Sequence, residues 1–280
     1  MAFAVETAKR GWHTRPLHNG SASAFQADGV GSIPIGRSLG KLMIRSGVGK
    51  DKKIEFFCEE TWIDLPRPAR EFIPDWYKKS ERFRDNKIEF SPDRNVTSKD
   101  LKLCIPFLDS LTAGYVFCLW QDLLVSQSEE DGTTFDWESD FPLMNERTLE
   151  ANKLLPRPAG HFANNFVWEC PLMIRVPRGY SVLITHPFNR FDLPFTTLTG
   201  IVDADSMMIT GNVPFFINDN FTGVIRKGTP IFQIIPFKRE SWVSSVNEDL
   251  SSLNYHISKV CRSVLSGGYR DNFWHRKKFN

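Results

Sequence analysis

Apolar residues along this chain fall in short alternating or continuous runs, interrupted by glycine, proline and acidic clusters, which is the pattern of an antiparallel β protein. Ile54, Phe56 and Cys58 alternate with Glu55, Phe57 and Glu59, predicting a strand. Pro68 and Pro74 each remove a backbone donor and bias the preceding residue towards extended geometry, so short helical turns after each proline are expected over 69–79. A second β-rich block opens near Asp100, with apolar runs over Leu101–Leu108 and Ala113–Trp120, and the turn formers Glu129-Glu-Asp-Gly132 suit a hairpin. Residues 136–170 read as a polar and aromatic insertion with irregular backbone. The core block follows in short runs: Trp168–Cys170, Leu172–Val176, Tyr180–Ile184, Thr196–Val202, Val213–Ile217, Val224–Lys227 and Ile231–Ile235. After Phe237 the period changes. Trp242, Val246, Leu250, Leu253, Ile257 and Val260 recur at three- and four-residue steps, predicting a helix that Gly267-Gly268 ends.

These runs divide the chain into a basic extended arm over 1–53, a strand with a Pro-rich irregular segment over 54–100, a β-barrel over 101–240 carrying the insertion 136–170, and a C-terminal helix with a basic aromatic tail over 241–280. No internal repeat has a fixed period. The chain has 280 residues, is 41% hydrophobic and 24% charged, and is long enough for one large core with extensions. No stretch approaches the roughly 20 consecutive apolar residues of a membrane span, and the first charges follow a short apolar run, the reverse of a secretory leader. Neither membrane insertion nor signal-dependent export is expected. Five scattered cysteines without a C-x-x-C pair predict reduced, mostly buried thiols and no disulfide framework.

The net charge of +2 hides an uneven distribution. Residues 1–53 carry nine Lys or Arg against three Asp or Glu, residues 256–280 carry six against one, and the body between is acidic. Basic arms of this kind dock on acidic neighbours or on nucleic acid, or simply stay solvated. The run Gly31-Ser-Ile-Pro-Ile-Gly36-Arg37-Ser38 has nearly the spacing of a phosphate loop, but arginine replaces the lysine and no apolar strand precedes it.

Four pieces of the central block resemble, in chain order, the motifs of dUTPases and dCTP deaminases. Leu111-Thr-Ala-Gly-Tyr115 is similar to the family's Ala-Gly-Tyr-Asp-Leu motif, with Val116 where the family has a magnesium-binding aspartate. Val176-Pro-Arg-Gly-Tyr180 is similar to its Pro-x-Gly-x turn, and Thr185-His-Pro-Phe-Asn-Arg190 stands where a Pro-Arg-Ser phosphate motif belongs. Gly200-Ile-Val-Asp203 places Asp203 at the position of the water-activating aspartate, with Ser206 and Met207 where the family has a tyrosine and a polar or basic residue. Gly228-Thr-Pro-Ile-Phe-Gln233 keeps the glycine and glutamine of the last motif, and the glycine-rich C-terminal arm has no clear counterpart. The resemblance covers about 105–237 and implies a mainly β, dUTPase-like distorted barrel or jelly roll. The glycines and turns survive, while the metal and phosphate grips do not. Phe56-Cys-Glu-Glu, Phe72-Ile-Pro-Asp-Trp-Tyr-Lys-Lys and Ile235-Pro-Phe-Lys-Arg-Glu-Ser-Trp242 also resemble uncharacterised proteins of large tailed phages of marine cyanobacteria.

Two functions follow from these resemblances. The first is a non-enzymatic phage protein on a dUTPase-like scaffold, a structural component of the virion or a protein of the host cytoplasm, self-associating as a trimer or higher through its arms, with other phage proteins or nucleic acid as partners and no cofactor. The alternative is a deoxynucleotide triphosphate hydrolase, or a nucleotide-binding regulator, in which Asp203 is the general base, His186 an acid or base beside it, and Tyr115, Asn189, Arg190 and Gln233 line the ligand site. Magnesium belongs only to that alternative. The six histidines never take metal-ligand spacing, so no metal site is expected. Tyr269-Arg-Asp-Asn-Phe-Trp-His-Arg-Lys-Lys-Phe279 interleaves aromatic and basic residues in a way suited to stacking on bases or to packing on a partner.

Overall fold

The computed structural model describes residues 52–82, 90–91, 96–97, 100–128, 132–147, 154–207, 211–246, 253–256 and 268–280. The arm 1–51 and its phosphate-loop-like run lie outside them. Sixteen strands are described in chain order: β1 Glu55–Phe57, β2 Arg67–Pro68, β3 Phe90–Ser91, β4 Val96–Thr97, β5 Tyr115–Cys118, β6 Leu123–Ser128, β7 Gly132–Trp137 and β8 Met144–Arg147. Then come β9 Asn165–Trp168, β10 Met173–Arg175, β11 Tyr180–Thr185, β12 Phe195–Thr197, β13 Gly200–Val202, β14 Val213–Ile217, β15 Gly223–Ile225 and β16 Pro230–Lys238. The mainly β, antiparallel architecture expected from the apolar pattern is the one observed.

Three ladders surround one buried cluster. The largest has the order β13-β11-β16-β5-β2, the second β12-β14-β9-β8 and the third β15-β6-β7. A separate pair, β1 and β10, packs Ile54 and Phe56 against the same cluster. β16 is the spine: its run Ile231–Ile234 is buried throughout, as a strand flanked on both sides must be. Pro236 is tolerated there because pairing with β5 ends at Ile234↔Tyr115, so its missing N–H lies where the ladder has already stopped. In the second sheet Trp168 stacks on Phe215 with centroids 3.7 Å apart, and Phe195 meets the indole edge-on. Aromatic pairs of this kind contribute about 1 kcal/mol beyond the area they bury.

The helical turns expected after the prolines are present, as a 3-10 turn over Ala69–Phe72 and helix α1 over Asp75–Lys79. The hairpin around Gly132 is β6–β7. Three expectations are corrected. Leu101–Leu108, read as β-rich, is a 3-10 turn over Leu101–Leu103 followed by helix α2, Ile105–Thr112, because Pro106 sits at the start of the helix where its missing donor costs nothing. The segment read as an insertion, 136–170, supplies β8 and all four buried residues of β9. The helix expected from Trp242 is absent over Ser241–Val246, where Trp242, Val243 and Val246 are exposed; helical backbone occurs at 253–256, and Gly268 opens a short helix to Asn272 where the sequence pattern placed a stop.

Gly114 shows why one stretch of motif is needed by the backbone itself. Its φ is +66°, and a Cβ there would lie 2.0 Å from the Ile234 carbonyl oxygen, so only glycine lets β5 leave α2 and meet β16 at that distance. Four of the cysteines are described and none is in a disulfide with another described cysteine: Cys170 is buried, Cys58 and Cys118 are half-buried and Cys104 is exposed. Burial pushes the Cys118 thiol up to about 12. No helix among the described residues is long and apolar enough to cross a membrane.

Candidate functional site

The acidic turn after β13 is the natural place to look for a general base. β11 pairs with β13 through Val182↔Val202 and Ile184↔Gly200, which sets Ser181 beside Asp203. The Ser181 hydroxyl donates to Asp203 Oδ1 at 2.6 Å, and Arg239 Nη1 reaches the same oxygen at 3.2 Å. Arg239 also donates to the Tyr180 carbonyl at 2.7 Å and forms an ion pair with Asp205, whose other donors are the Gly179 amide at 2.8 Å and Ser206. The Asp205 side chain is 4% exposed and that of Asp203 63% exposed. The Arg239 guanidinium, followed by the Gly179 amide, holds the Asp205 carboxyl well below the usual carboxylate range. One arginine thus clamps the β11 start, the β13 end and the β16 end together. Asp203 is a member of that clamp. The sequence reading missed Arg239, Ser181 and Asp205; the signal available was an Asp-x-Asp turn just past a strand whose neighbour's own partner ends in Lys-Arg.

His186 is not beside Asp203. It follows the opposite end of β11, five residues beyond Ser181, which is roughly 16 Å along an extended strand. Its Nδ1 accepts from the Thr197 amide at 3.2 Å, and its Nε2 donates to the Arg190 carbonyl at 3.0 Å. With one nitrogen accepting, the ring is held neutral, and burial lowers its pKa from 6.5. The expected acid and base are therefore separated, and both ring nitrogens of the histidine are taken up by backbone groups.

Three of the four expected ligand residues, Tyr115, Asn189 and Gln233, lie around the C-terminus of α2, and the polar groups of all four are bonded to other parts of the fold. Gln233 is 2% exposed. Its Oε1 accepts from the Phe188 amide at 2.9 Å, and its Nε2 donates to the Ser110 and Ala113 carbonyls. Asn189, with φ of 59°, donates from Nδ2 to the Ser110 hydroxyl at 2.8 Å. Arg190 makes a two-point ion pair with Asp192 at 2.8 and 2.9 Å. Burial pushes the Asp192 carboxyl up, but the bond from Arg190 more than offsets it and the net shift is downward. Tyr115 packs edge-on against Phe56 and Phe279, and its hydroxyl donates to the Asn280 carbonyl at 3.1 Å. Tyr115, Asn189 and Gln233 are thus brought together at α2, with Arg190 in the adjoining loop and Asp203 at the far end of the sheet.

The aromatic basic tail completes this corner. The Trp274 indole donates to both Asp109 oxygens at 3.1 and 2.9 Å, Lys277 pairs with Asp109 at 2.6 Å, and Arg70 donates to Asn280 Oδ1 at 3.2 Å. On this face the tail packs on the protein's own α2 through Asp109. Near these residues Phe232 is wholly buried against Phe117 and Phe188 is half-buried, while Met207, past β13, is exposed. No group of three or more His, Cys, Asp or Glu side chains among the described residues is arranged to hold a metal ion.

No family model matches the chain, and no curated protein matches it. Among solved structures, the chain is similar to a mutant dUTPase of phage phi11 of S. aureus, at 10% identity over 70% of this chain and 97% of that one, with a TM-score of 0.31. It is similar to the same extent to a mutant dUTPase of Staphylococcus bacteriophage 80alpha, covering 70% of this chain and 97% of that one at 10% identity and a TM-score of 0.31. The match to the native EIAV dUTPase covers 59% of this chain and 92% of that one, at 11% identity and a TM-score of 0.25. These structures are dUTPases, the class whose motifs the chain resembles.

Proposed function

We propose that this chain is a non-catalytic protein on a dUTPase-like β scaffold that works by association, as a homo-oligomer of three or more copies held through its basic arms. Its resemblance to tailed-phage proteins points to the virion or the host cytoplasm as its place, with other phage proteins or nucleic acid as further partners. The observation that carries the reading is the commitment of every candidate catalytic group to the fold. Asp203 belongs to the Arg239 clamp, His186 is neutral and a strand's length away, Gln233 is spent on three backbone groups, and Arg190 is spent on Asp192. A hydrolase needs its base, its metal ligand and its phosphate donors to converge on one reacting centre, and Val116 stands where the resemblance calls for the metal-binding carboxylate.

Two measurements test this reading. Release of pyrophosphate from a panel of deoxynucleoside triphosphates with magnesium is expected at the same background rate for the protein and for Asp203→Asn. A rate above background that Asp203→Asn abolishes would establish the hydrolase instead. Sedimentation of the full chain against a chain lacking residues 1–51 is expected to show a loss of oligomer on truncation; two monomers would remove the association reading. Saturable nucleotide binding without turnover would favour the regulator.

A further inference from the structure

We propose that Ser241–Val246 of one copy adds as an antiparallel strand to the open edge of β13 in a second copy, which returns the same contact. The segment follows β16 directly and is neither helical nor paired, and its Trp242, Val243 and Val246 are 86%, 96% and 94% exposed. Three apolar side chains so fully in water within one short run mark a contact surface. β13 is the outermost strand of the five-stranded sheet, and among the described residues it is paired only with β11. Pro236 shows which of its groups point outwards. Having no N–H, Pro236 does not complete a hydrogen-bonded pair with Val182, so Ser181, Leu183 and Thr185 bond to β16 while Val182 and Ile184 bond to β13. The Gly179 carbonyl accepts from the Arg239 amide, on the β16 side, as this alternation requires. Ile201, opposite Leu183, therefore turns both its N–H and its C=O to the open edge, and it is 65% exposed. Such an edge is a template for another strand.

The edge also selects the register. With Val243 opposite Ile201, the valine extends an outer-face row of Ile201, Leu183 and Ile235, none of which is fully buried. Trp242 then stands opposite Val202 on the inner face, next to the buried Val182, where its indole covers the open side of the core. Ser241 falls opposite Asp203 and offers its hydroxyl to a carboxylate whose side chain is 63% exposed. Setting Trp242 opposite Ile201 instead would bring Glu240 against Asp203, carboxylate on carboxylate. Setting Ser244 there would place a hydroxyl on the isoleucine and the indole on the carboxylate.

The path of the chain requires a second copy. β16 and β13 run in the same direction, each being antiparallel to β11, so the chain leaves β16 at the Asp203 end. There the Arg239 amide donates to the Gly179 carbonyl at 2.9 Å and the guanidinium holds Asp203 and Asp205, which fixes the point of exit. From that point the outer side of the same molecule's β13 lies three strand spacings away, about 14 Å. The two residues that lead to Ser241 span at most about 7 Å. Running on past its own sheet, the segment instead meets the β13 of a copy related by a two-fold axis perpendicular to the sheet, and meets it antiparallel. The symmetry makes the contact reciprocal, so two five-stranded sheets join through two added strands. This inference goes beyond the proposed function: it adds to the arms a contact made of backbone bonds and apolar side chains, which persists in salt that screens the charges of the arms.

The test uses the full chain with Ile201→Cys and Val243→Cys, oxidised mildly in about 0.5 M salt, run on non-reducing gels and read by peptide mapping so that the native thiols do not confuse the result. A 201–243 linkage in a band of dimer mass is expected, since a hydrogen-bonded antiparallel pair brings the two Cα atoms to about 5.5 Å. The same linkage in a band of monomer mass, a 201–201 linkage in which two β13 edges pair with each other, or no linkage overturns the proposal. Loss of the arms and loss of this linkage are read separately, so either contact can fail without the other. Val243→Pro gives an independent readout, because it removes the N–H that the Ile201 carbonyl accepts, at a position 96% exposed in the single chain. In the wild type the Ile201 amide is expected to exchange at least about tenfold more slowly when protein concentration rises roughly a hundredfold, and in Val243→Pro that dependence is expected to vanish with the circular dichroism unchanged. Exchange that ignores concentration in the wild type, or depends on it equally in both proteins, would be incompatible with a strand supplied by a second copy.

Discussion

The two ends of the β11–β16 ladder are tied by polar knots of opposite kinds. At one end a neutral amide, Gln233, lies buried and satisfies three backbone groups from the α2 end and the 186–190 loop. At the other end a charged guanidinium, Arg239, lies at the surface and ties two carboxylates and a carbonyl. Both knots involve a residue that the sequence offered as a candidate for chemistry, Gln233 in one and Asp203 in the other, yet they differ in what they tolerate. A buried amide cannot be replaced without stranding its partners away from water, whereas surface ions exchange partners with solvent and salt. The first end fixes the fold, and the second fixes a turn.

The largest expected effect belongs to the buried end. Gly114→Ala forces a Cβ into the Ile234 carbonyl at positive φ, and a loss of about 3 kcal/mol is expected in urea unfolding; a loss under about 1 kcal/mol would mean that β5 and β16 can separate without cost. Gln233→Leu keeps the volume and strands the Phe188 amide and two carbonyls, so about 2 kcal/mol is expected, together with faster hydrogen exchange confined to residues 186–190 and the end of α2.

His186 gives a smaller effect with a definite sign. Because its folded pKa lies below 6.5, the unfolded chain takes up the proton first; its contribution is complete above about pH 6.5 and is lost as pH falls towards the folded value. Unfolding measured between about pH 7.5 and 5 should therefore lose more stability in the wild type than in His186→Gln, and parallel pH profiles would mean that the ring is not held neutral. Arg239→Ala should have the smallest effect, reduced further by added salt. Its pH signature has the same direction: the depressed Asp205 carboxyl stabilises fully above the unfolded aspartate value, and that contribution fades as pH falls below it. A large, salt-independent loss would mean that the surface clamp is as rigid as the buried knot.

Much of the architecture was legible in the apolar pattern. The strands around Phe56, Tyr115, Val182, Phe215 and Phe232, the Gly132 hairpin and the turns after Pro68 and Pro74 all follow from local chemistry. Leu101–Leu108 misled because a short apolar run fits a buried helix as well as a strand, and only Pro106 at the first turn separated them. β9 was hidden because Asn165 and the aromatic residues around it gave no alternation, although all four residues are buried. The periodicity from Trp242 did not make a helix over Ser241–Val246, where no described surface receives its apolar face. For the site, the sequence located Asp203 and Gln233 but could not give their partners. Ser181, Arg239, Ser110 and Phe188 meet them only through strand pairing and loop return, over separations of 22 to 123 residues.

Asp109 is where this arrangement touches laboratory practice. Its carboxylate sits on α2 with the Trp274 indole and the Lys277 ammonium as its donors, and Asn280 reaches Tyr115 and Arg70. Shortening the chain ahead of Trp274 to obtain a tidier crystallisation sample would remove all of these at once, uncover the Tyr115 ring and unsettle the corner that Gln233 organises.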